Sequence, residues 1–226
     1  MCGRYTHKLT WPQIVELYRL TGGADPPPEL HPRYNMAPTQ MAPVIRQGTA
    51  GREFALMRWG LVPSWAKEAS IGNRLINARS ETAAEKPAFR AALRARRCLV
   101  PANGFYEWQK TARAKQPWWI GMKDGEAFAM AGLWEAWRDP VGGSSLLTFT
   151  ILTTDANALL APIHERMPVI IDPGDYDTWL AGPAFAPLMR PFPADRMTAR
   201  EVSTWVNSPA HDDPRCEAPM PLLSQG

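Results

Sequence analysis

The second residue of the chain brings together two groups that react in concert. Initiator methionine is commonly removed before a small residue, so the mature chain is expected to begin at Cys2, with a free α-amine and a thiol on adjacent carbons. Such a 1,2-aminothiol condenses with an aldehyde: the amine forms a Schiff base, and the thiol closes on it as a five-membered thiazolidine. With an α-amine pKa of about 7.7–8.0, most of the amine is protonated at pH 7, and a neighbouring base would accelerate the first step. Two internal segments offer proton-transfer groups. In Gly104-Phe105-Tyr106-Glu107-Trp108 the strand period of two puts Phe105 and Glu107 on one face and Tyr106 and Trp108 on the other. Burial among aromatics would raise the pKa of that carboxylate. In Ile163-His164-Glu165-Arg166-Met167-Pro168 a lone histidine borders a strand-like run, and its pKa suits proton transfer near neutrality. Each residue also has a plain reading: a chance second-position cysteine, a paired or exposed carboxylate, a structural histidine. Residue types alone leave these open.

The elements that must position these groups are mostly strands. Thr10 followed by Trp11-Pro12, with Ile14, Leu17 and Tyr18 at helical spacing, predicts a short amphipathic helix ending by Gly22-Gly23. Pro26-Pro27-Pro28 breaks it, and the stretch to Pro38-Thr39 reads as an extended loop. Strands are predicted near 41–46, 53–58, 98–101, 104–109, 117–122, 127–133, 147–153 and 168–171. Helices are predicted over 81–97, 155–160 and 173–180, and the last forty residues are Pro-rich and poorly periodic. With no internal repeat and no polar linker, the expectation is one α+β domain over 1–226, mainly antiparallel, with flanking short helices and a Pro-rich tail from about 207.

Composition sets the bounds. Hydrophobic residues make up 45% and charged residues 21% of 226, which is the balance of a chain with a packed core. The longest apolar run, around Ala127 to Trp134, is too short to cross a bilayer, and no secretory signal opens the sequence, so a cytoplasmic protein is expected. The 25 basic and 22 acidic residues leave +3, which permits nucleic-acid binding without demonstrating it. The basic set is 19 Arg to 6 Lys, a bias that suits phosphate and that a GC-rich genome would also produce. Cysteines at 2, 98 and 216 and histidines at 7, 31, 164 and 211 show neither disulfide nor zinc spacing, so no metal and no cofactor are expected.

Six segments taken in order resemble one family. They are Met1-Cys2-Gly3-Arg4-Tyr5, Arg33-Tyr34-Asn35-Met36-Ala37-Pro38, Trp59-Gly60-Leu61-Val62-Pro63-Ser64-Trp65, Ile76-Asn77-Ala78-Arg79-Ser80-Glu81-Thr82, Arg97 through Trp108, and His164-Glu165-Arg166-Met167-Pro168. Order and spacing are similar to the SRAP family, the SOS response-associated peptidases understood as abasic-site processing proteins, from residue 2 to about 210. The resemblance implies the SRAP fold and a sensor of abasic sites in single-stranded DNA. It implies a covalent thiazolidine crosslink through Cys2, which shields the lesion during the DNA damage response.

The resemblance also implies roles. Asn77 would hold nucleophile and sugar, Glu107 would assist proton transfer, and His164 would promote opening of the sugar ring. Arg4, Arg79 and Arg166 would hold backbone phosphates with Asn35 as a polar neighbour, Pro38 would wedge beside the lesion, and Trp65 would stack on an adjacent base. Some relatives carry a second aromatic after that tryptophan; this chain has Ala66. Most other tryptophans, Trp118, Trp119 and Trp134 among them, read as core or strand residues. The implied activity is that of an abasic-site processing enzyme with autoproteolytic, hydrolase-type removal of Met1 and a lyase activity. The implied partner is abasic single-stranded DNA, bound by a monomer that is nucleoid-associated when on DNA and in reach of the replication machinery. Two other readings stand beside it: a thiol peptidase using Cys2 and His164, and a noncovalent module for single-stranded or modified DNA.

Overall fold

The structure is a computed structural model that describes residues 2–21, 30–112 and 114–220. In chain order its elements are β1 (Arg4–His7), α1 (Trp11–Tyr18), β2 (Arg33–Met36), β3 (Met41–Gln47), β4 (Arg52–Trp59) and β5 (Asn77–Arg79). There follow α2 (Arg90–Ala95), β6 (Arg97–Ala102), β7 (Gly104–Lys110), β8 (Lys115–Met122), β9 (Phe128–Arg138) and β10 (Ser145–Asp155). The remaining elements are β11 (Arg166–Pro168), β12 (Ile170–Ile171), α3 (Tyr176–Leu180) and β13 (Met197–Glu201), with short 3-10 turns between.

The strands form two sheets. One has the order β13-β8-β7-β1-β2 and is antiparallel throughout. In the other, β10, β4, β3, β6 and β9 pair in sequence and β9 returns to β10, which makes a closed, barrel-like ring with β11, β12 and β5 added at its margins. Only β4 and β5 run parallel to β10. Closure removes the unpaired strand edges that an open sheet would present.

Alternation along the strands divides the core in two. Cys98 and Val100 of β6 join Tyr5, Met36, Met57, Trp59, Phe105, Ile120 and Phe149 in a cluster that spans both sheets and also contains Cys2. Leu99 faces the other way, with Ile45, Ala131 and Leu133, against Ile14 and Tyr18 of α1, Leu93 of α2 and Trp179 of α3. The mainly antiparallel α+β reading is therefore correct, and eight predicted strands occur close to their predicted positions.

Several local expectations are corrected. The loop before Pro38 contains β2, whose Asn35 and Met36 are buried despite the flanking prolines. The helix predicted over 81–97 is reduced to α2. Pro87 has no N–H, which interrupts the hydrogen-bonded turns that precede Phe89. The helix predicted at 155–160 is a turn after β10, which the β-branched run through Thr154 carries to Asp155. Asn157 organises that turn by accepting from the backbone N–H groups of Leu159 and Leu160, each at 3.1 Å. The poorly periodic tail includes β13, paired along β8. Helix α1 ends at Arg19 in the left-handed conformation (φ 49°), and Gly22-Gly23 and Pro26-Pro27-Pro28 lie outside the described residues.

Candidate active site and DNA-facing surface

Strand β1 delivers the N-terminus to the site. Its register against β7 pairs Arg4 with Tyr106 and Tyr5 with Phe105, so the same alignment carried upstream runs Gly3 and Cys2 alongside Glu107 and Trp108. Cys2 is fully buried. Burial, and then the charge of Glu107, holds its thiol well above the ordinary cysteine range. The platform beneath it is aromatic: Tyr5 meets Trp59 edge-on at 5.2 Å, and Trp59 stacks on Phe149 at 6.2 Å.

Asn77 reaches Cys2 from the ring. Its Nδ2 donates to the Cys2 carbonyl oxygen at 2.9 Å. Strand β5 is short, yet it is fixed by parallel pairing of Asn77 with Ile151 and by Trp59 Nε1, which donates to the Ile76 carbonyl at 2.9 Å. Asn77 Oδ1 is buried with no hydrogen-bond partner among the described residues, an acceptor left for a ligand.

Glu107 is 2% exposed, and burial pushes its carboxyl up to about 7. The face assignment read from the sequence is correct: Phe105 enters the inter-sheet core, and Tyr106 packs with Trp108 on the other side. His164 Nε2 lies 4.0 Å from Glu107 Oε2, close enough for one oxygen atom to hydrogen-bond both. In the tautomer with its proton on Nε2, towards Glu107, His164 Nδ1 accepts from the Arg166 backbone N–H at 3.0 Å; in the other tautomer Nδ1 donates to the Arg166 carbonyl at 3.3 Å. Burial lowers the His164 pKa and favours the neutral ring. Gln109 spans the two elements, its Nε2 donating to the Pro162 carbonyl at 3.0 Å while its Oε1 accepts from Trp118 Nε1 at 3.2 Å.

The expected phosphate ligands fall into different environments. Arg79 is exposed at the end of β5. Arg4 is half-buried, with Nη1 donating to Asn35 Oδ1 at 2.9 Å and to the Val206 carbonyl at 3.1 Å, and it lines an open cleft. Asn35 has no exposed surface. Its Nδ2 donates to the carbonyls of Val206, Ser208 and His211, so in this conformation it positions Arg4 and the 206–211 segment instead of meeting solvent. Arg166 is 7% exposed and forks onto Glu81 at 2.7 and 2.9 Å, with Asp155 at 2.7 Å and the Thr153 carbonyl at 2.8 Å. Its charge is thus committed within the fold.

Pro38 is half-buried in the turn after β2, and Thr39 N–H ties that turn to the Trp59 carbonyl at 2.8 Å. From there the chain leaves β4 through Gly60. Gly60 has φ 122°, and a Cβ on it would lie 2.5 Å from the Gly72 carbonyl oxygen, so glycine is required. The loop presents Trp65, which at 60% exposed is an uncovered ring, while Ala66 is buried against Trp137. Trp118 and Trp134 pack on the main core and Trp119 on a smaller cluster, as their strand positions suggested.

The open cleft of about 470 Å³ is lined by Arg4, Glu107, Trp108, Lys110, Lys115, His164 and Asn207. Sequence reasoning missed Trp108, Lys110, Lys115 and Asn207 as cleft residues. The available signal was the pair of predicted strands near 104–109 and 117–122, whose short connection carries Lys110 and Lys115 at its two ends.

A β-rich fold in which Glu107 and His164 line one cleft, with buried Cys2 alongside Glu107 and Asn77 bonded to the Cys2 carbonyl, defines a narrow class. The family model for SOS response associated peptidase (SRAP) matches residues 1–209, and the chain belongs to that family. It is 41% identical over 220 residues, covering 95% of this chain and 97% of the relative, to "Abasic site processing protein YoqW" of Bacillus subtilis. It is 34% identical to "Abasic site processing protein HMCES" of Gallus gallus, covering 98% of this chain and 79% of that protein. Among solved structures, a protein from Bordetella bronchiseptica superposes with TM-score 0.75 at 29% identity, over 89% of this chain and all of that one. One from Bacteroides thetaiotaomicron superposes with TM-score 0.74 at 32% identity, over 80% and 82%. No helix among the described residues is long and apolar enough to cross a membrane.

Proposed function

We propose that this chain senses abasic sites in single-stranded DNA and traps them as a thiazolidine through Cys2 once Met1 is gone. The observation that carries the reading is the placement of Glu107: a carboxyl pushed up to about 7, alongside Cys2 and 4.0 Å from the His164 ring. A group with that pKa both accepts and releases protons at neutral pH, which aminothiol condensation requires.

In the proposed sequence, Nε2–H of His164 supports the ring oxygen of the abasic sugar while the C1′ hydroxyl proton passes to that oxygen, opening the hemiacetal to an aldehyde and a free hydroxyl. The Cys2 amine attacks C1′, and Glu107 carries one proton from the attacking nitrogen to the aldehyde oxygen, giving a carbinolamine. Glu107 then carries the second nitrogen proton to the carbinolamine hydroxyl, so that one water leaves and the neutral Schiff base forms. The Cys2 thiol adds to the carbon, its proton ending on the ring nitrogen. Reactants and products balance with loss of one water. Asn77 holds the Cys2 carbonyl throughout, which fixes the direction of amine and thiol.

The raised thiol pKa favours this order over a peptidase that attacks with a thiolate, because the amine acts first and the thiol meets an already activated carbon. Hydrolytic removal of Met1, by the chain itself or by an aminopeptidase, is compatible with the same site, as is lyase chemistry from the Schiff base. Exposed Arg79 and cleft-lining Arg4 suit phosphate contacts, and Trp65 suits stacking on a neighbouring base. The replication machinery and a cytoplasmic, nucleoid-associated location fit a single-stranded substrate.

The test is adduct formation on denaturing gels with abasic single-stranded DNA. Wild type gives a heat-stable adduct, and Cys2→Ser retains at most a labile Schiff base. A heat-stable adduct undiminished in Cys2→Ser contradicts the thiazolidine, and purely salt-reversible binding by wild type identifies a noncovalent module instead.

A further inference from the structure

We propose that Lys110 and Lys115 form a two-armed clamp for a backbone phosphate of the strand that enters the Glu107–His164 cleft. The inference rests on the single-stranded DNA reading above and adds a contact which that reading does not contain.

The two lysines are direct cross-strand partners at the end of the β7–β8 hairpin. Like charges placed opposite one another in an antiparallel pair oppose the fold, so the pairing is not explained by strand stability. Thr111 closes the hairpin onto Ala114, its N–H and hydroxyl both donating to the Ala114 carbonyl, at 2.9 and 2.8 Å. The register therefore places both lysines at the same end of the hairpin.

Both are exposed, and both line the same cleft as Glu107 and His164. Neither has a carboxylate within 4.0 Å among the described residues, whereas Lys8 is closed onto Glu217 at 2.7 Å. The third cation of the cleft, Arg4, is held by an amide and two carbonyls and makes no ion pair among the described residues. The single carboxyl in the lining is Glu107, which burial keeps partly protonated. A concave surface whose three cations make no ion pair among the described residues draws in a polyanion, and two lysines paired across one hairpin end can share the oxygens of one phosphate. Lys110 also lies near enough to His164 to oppose its protonation, which places the clamp next to the chemistry. The occupant is thus a phosphate of the DNA strand flanking the abasic sugar.

The experiment measures anisotropy of an undamaged single-stranded oligonucleotide across a salt series, with single-turnover crosslinking to its abasic counterpart, for wild type, K110A/K115A and K110R/K115R. The double alanine variant should raise Kd roughly tenfold and flatten the log Kd against log salt slope by about 0.7 for the phosphate lost. Its crosslinking rate at saturating DNA should stay within about twofold of wild type, because the lysines bind and do not transfer protons. The arginine pair should restore affinity and slope. The thermal midpoint of K110A/K115A should equal or exceed that of wild type, since a like-charge pair has been removed; K110Q/K115Q, which keeps more of the side-chain stems, repeats the reading should the alanine pair fail to fold. Unchanged Kd and slope in the neutral variants overturn the clamp, as does a lowered saturating rate with unchanged Kd. Failure of wild type to form any adduct while the salt effect persists rejects the proposed function and leaves the clamp standing.

Discussion

The side-chain amide of Asn77 donates to the carbonyl oxygen of Cys2 at 2.9 Å across 75 residues of sequence. The bond joins the two halves of the site: Cys2 enters beside one sheet and Asn77 sits at the margin of the other. Without it the first residue of the mature chain would keep one peptide bond and the burial of its side chain, but nothing would fix the direction of its carbonyl and so of its amine. Asn77→Ala should slow adduct formation about 10–100-fold, the scale of losing near-attack geometry, with affinity for undamaged single strands unchanged. Single-turnover crosslinking against anisotropy checks this, and equal losses in both would return Asn77 to a structural role.

Glu107 gives two pH signatures. Its carboxyl is raised from 4.5 to about 7 by burial. A carboxyl with a higher pKa folded than unfolded contributes stability that is complete below about 4.5 and is lost as pH rises through about 7. The loss approaches roughly 3 kcal/mol above that range, and Glu107→Gln should flatten it in thermal melts between pH 5 and 8. The crosslinking rate of wild type should rise through about pH 7 as Glu107 becomes a base, and the glutamine variant should keep only the later rise from the amine. A wild-type rate that falls across this interval would contradict the base assignment.

What the sequence made legible depended on the range of the interaction. The alternation that buries Glu107 beside Phe105 is local and was readable, as were the six motifs that carry the resemblance. The partners of Arg166 and Asn35 were not. Glu81 is 85 residues from Arg166, and the carbonyls held by Asn35 lie more than 170 residues away, so no pattern in either motif could show that these polar groups are satisfied internally. Strand β2 was hidden among prolines because its pairing with β1 is non-local. The helix over 81–97 was overextended because Ala, Leu and Arg outweighed the one missing N–H at Pro87. Cleft residues such as Lys115 emerge only when the hairpin folds them back beside Glu107.

Arg79 and Arg166 should behave differently although both lie in motif positions that the resemblance assigns to phosphate. Arg79→Ala should leave the melting temperature unchanged and reduce the salt slope of single-strand binding by about 0.7. Arg166→Ala removes charge-assisted bonds to Glu81 and Asp155 and should destabilise the fold by about 1.5–3 kcal/mol. Melts and salt titrations of both variants distinguish them; a stable Arg166→Ala protein with a flattened slope would show that Arg166 leaves its carboxylates for DNA.

The exposed Trp65 and the turn at Pro38 predict strand selectivity. Trp65→Ala should cost about 1–3 kcal/mol of single-strand affinity, the range for one base stacked on an aromatic ring. Crosslinking should be fast on single strands and junctions and slow within continuous duplex, and Pro38→Gly should narrow that difference. Equal rates on all three substrates would return Pro38 to an ordinary turn residue.

The most direct measurement is the intact mass of the purified protein before and after incubation with abasic single-stranded DNA of known mass. The account predicts a starting mass lacking Met1, and a product equal to protein plus DNA less one water that persists after denaturation. Isolation of the same stable product mass from Cys2→Ser, or an unreacted wild-type protein whose Met1 is absent, would contradict it.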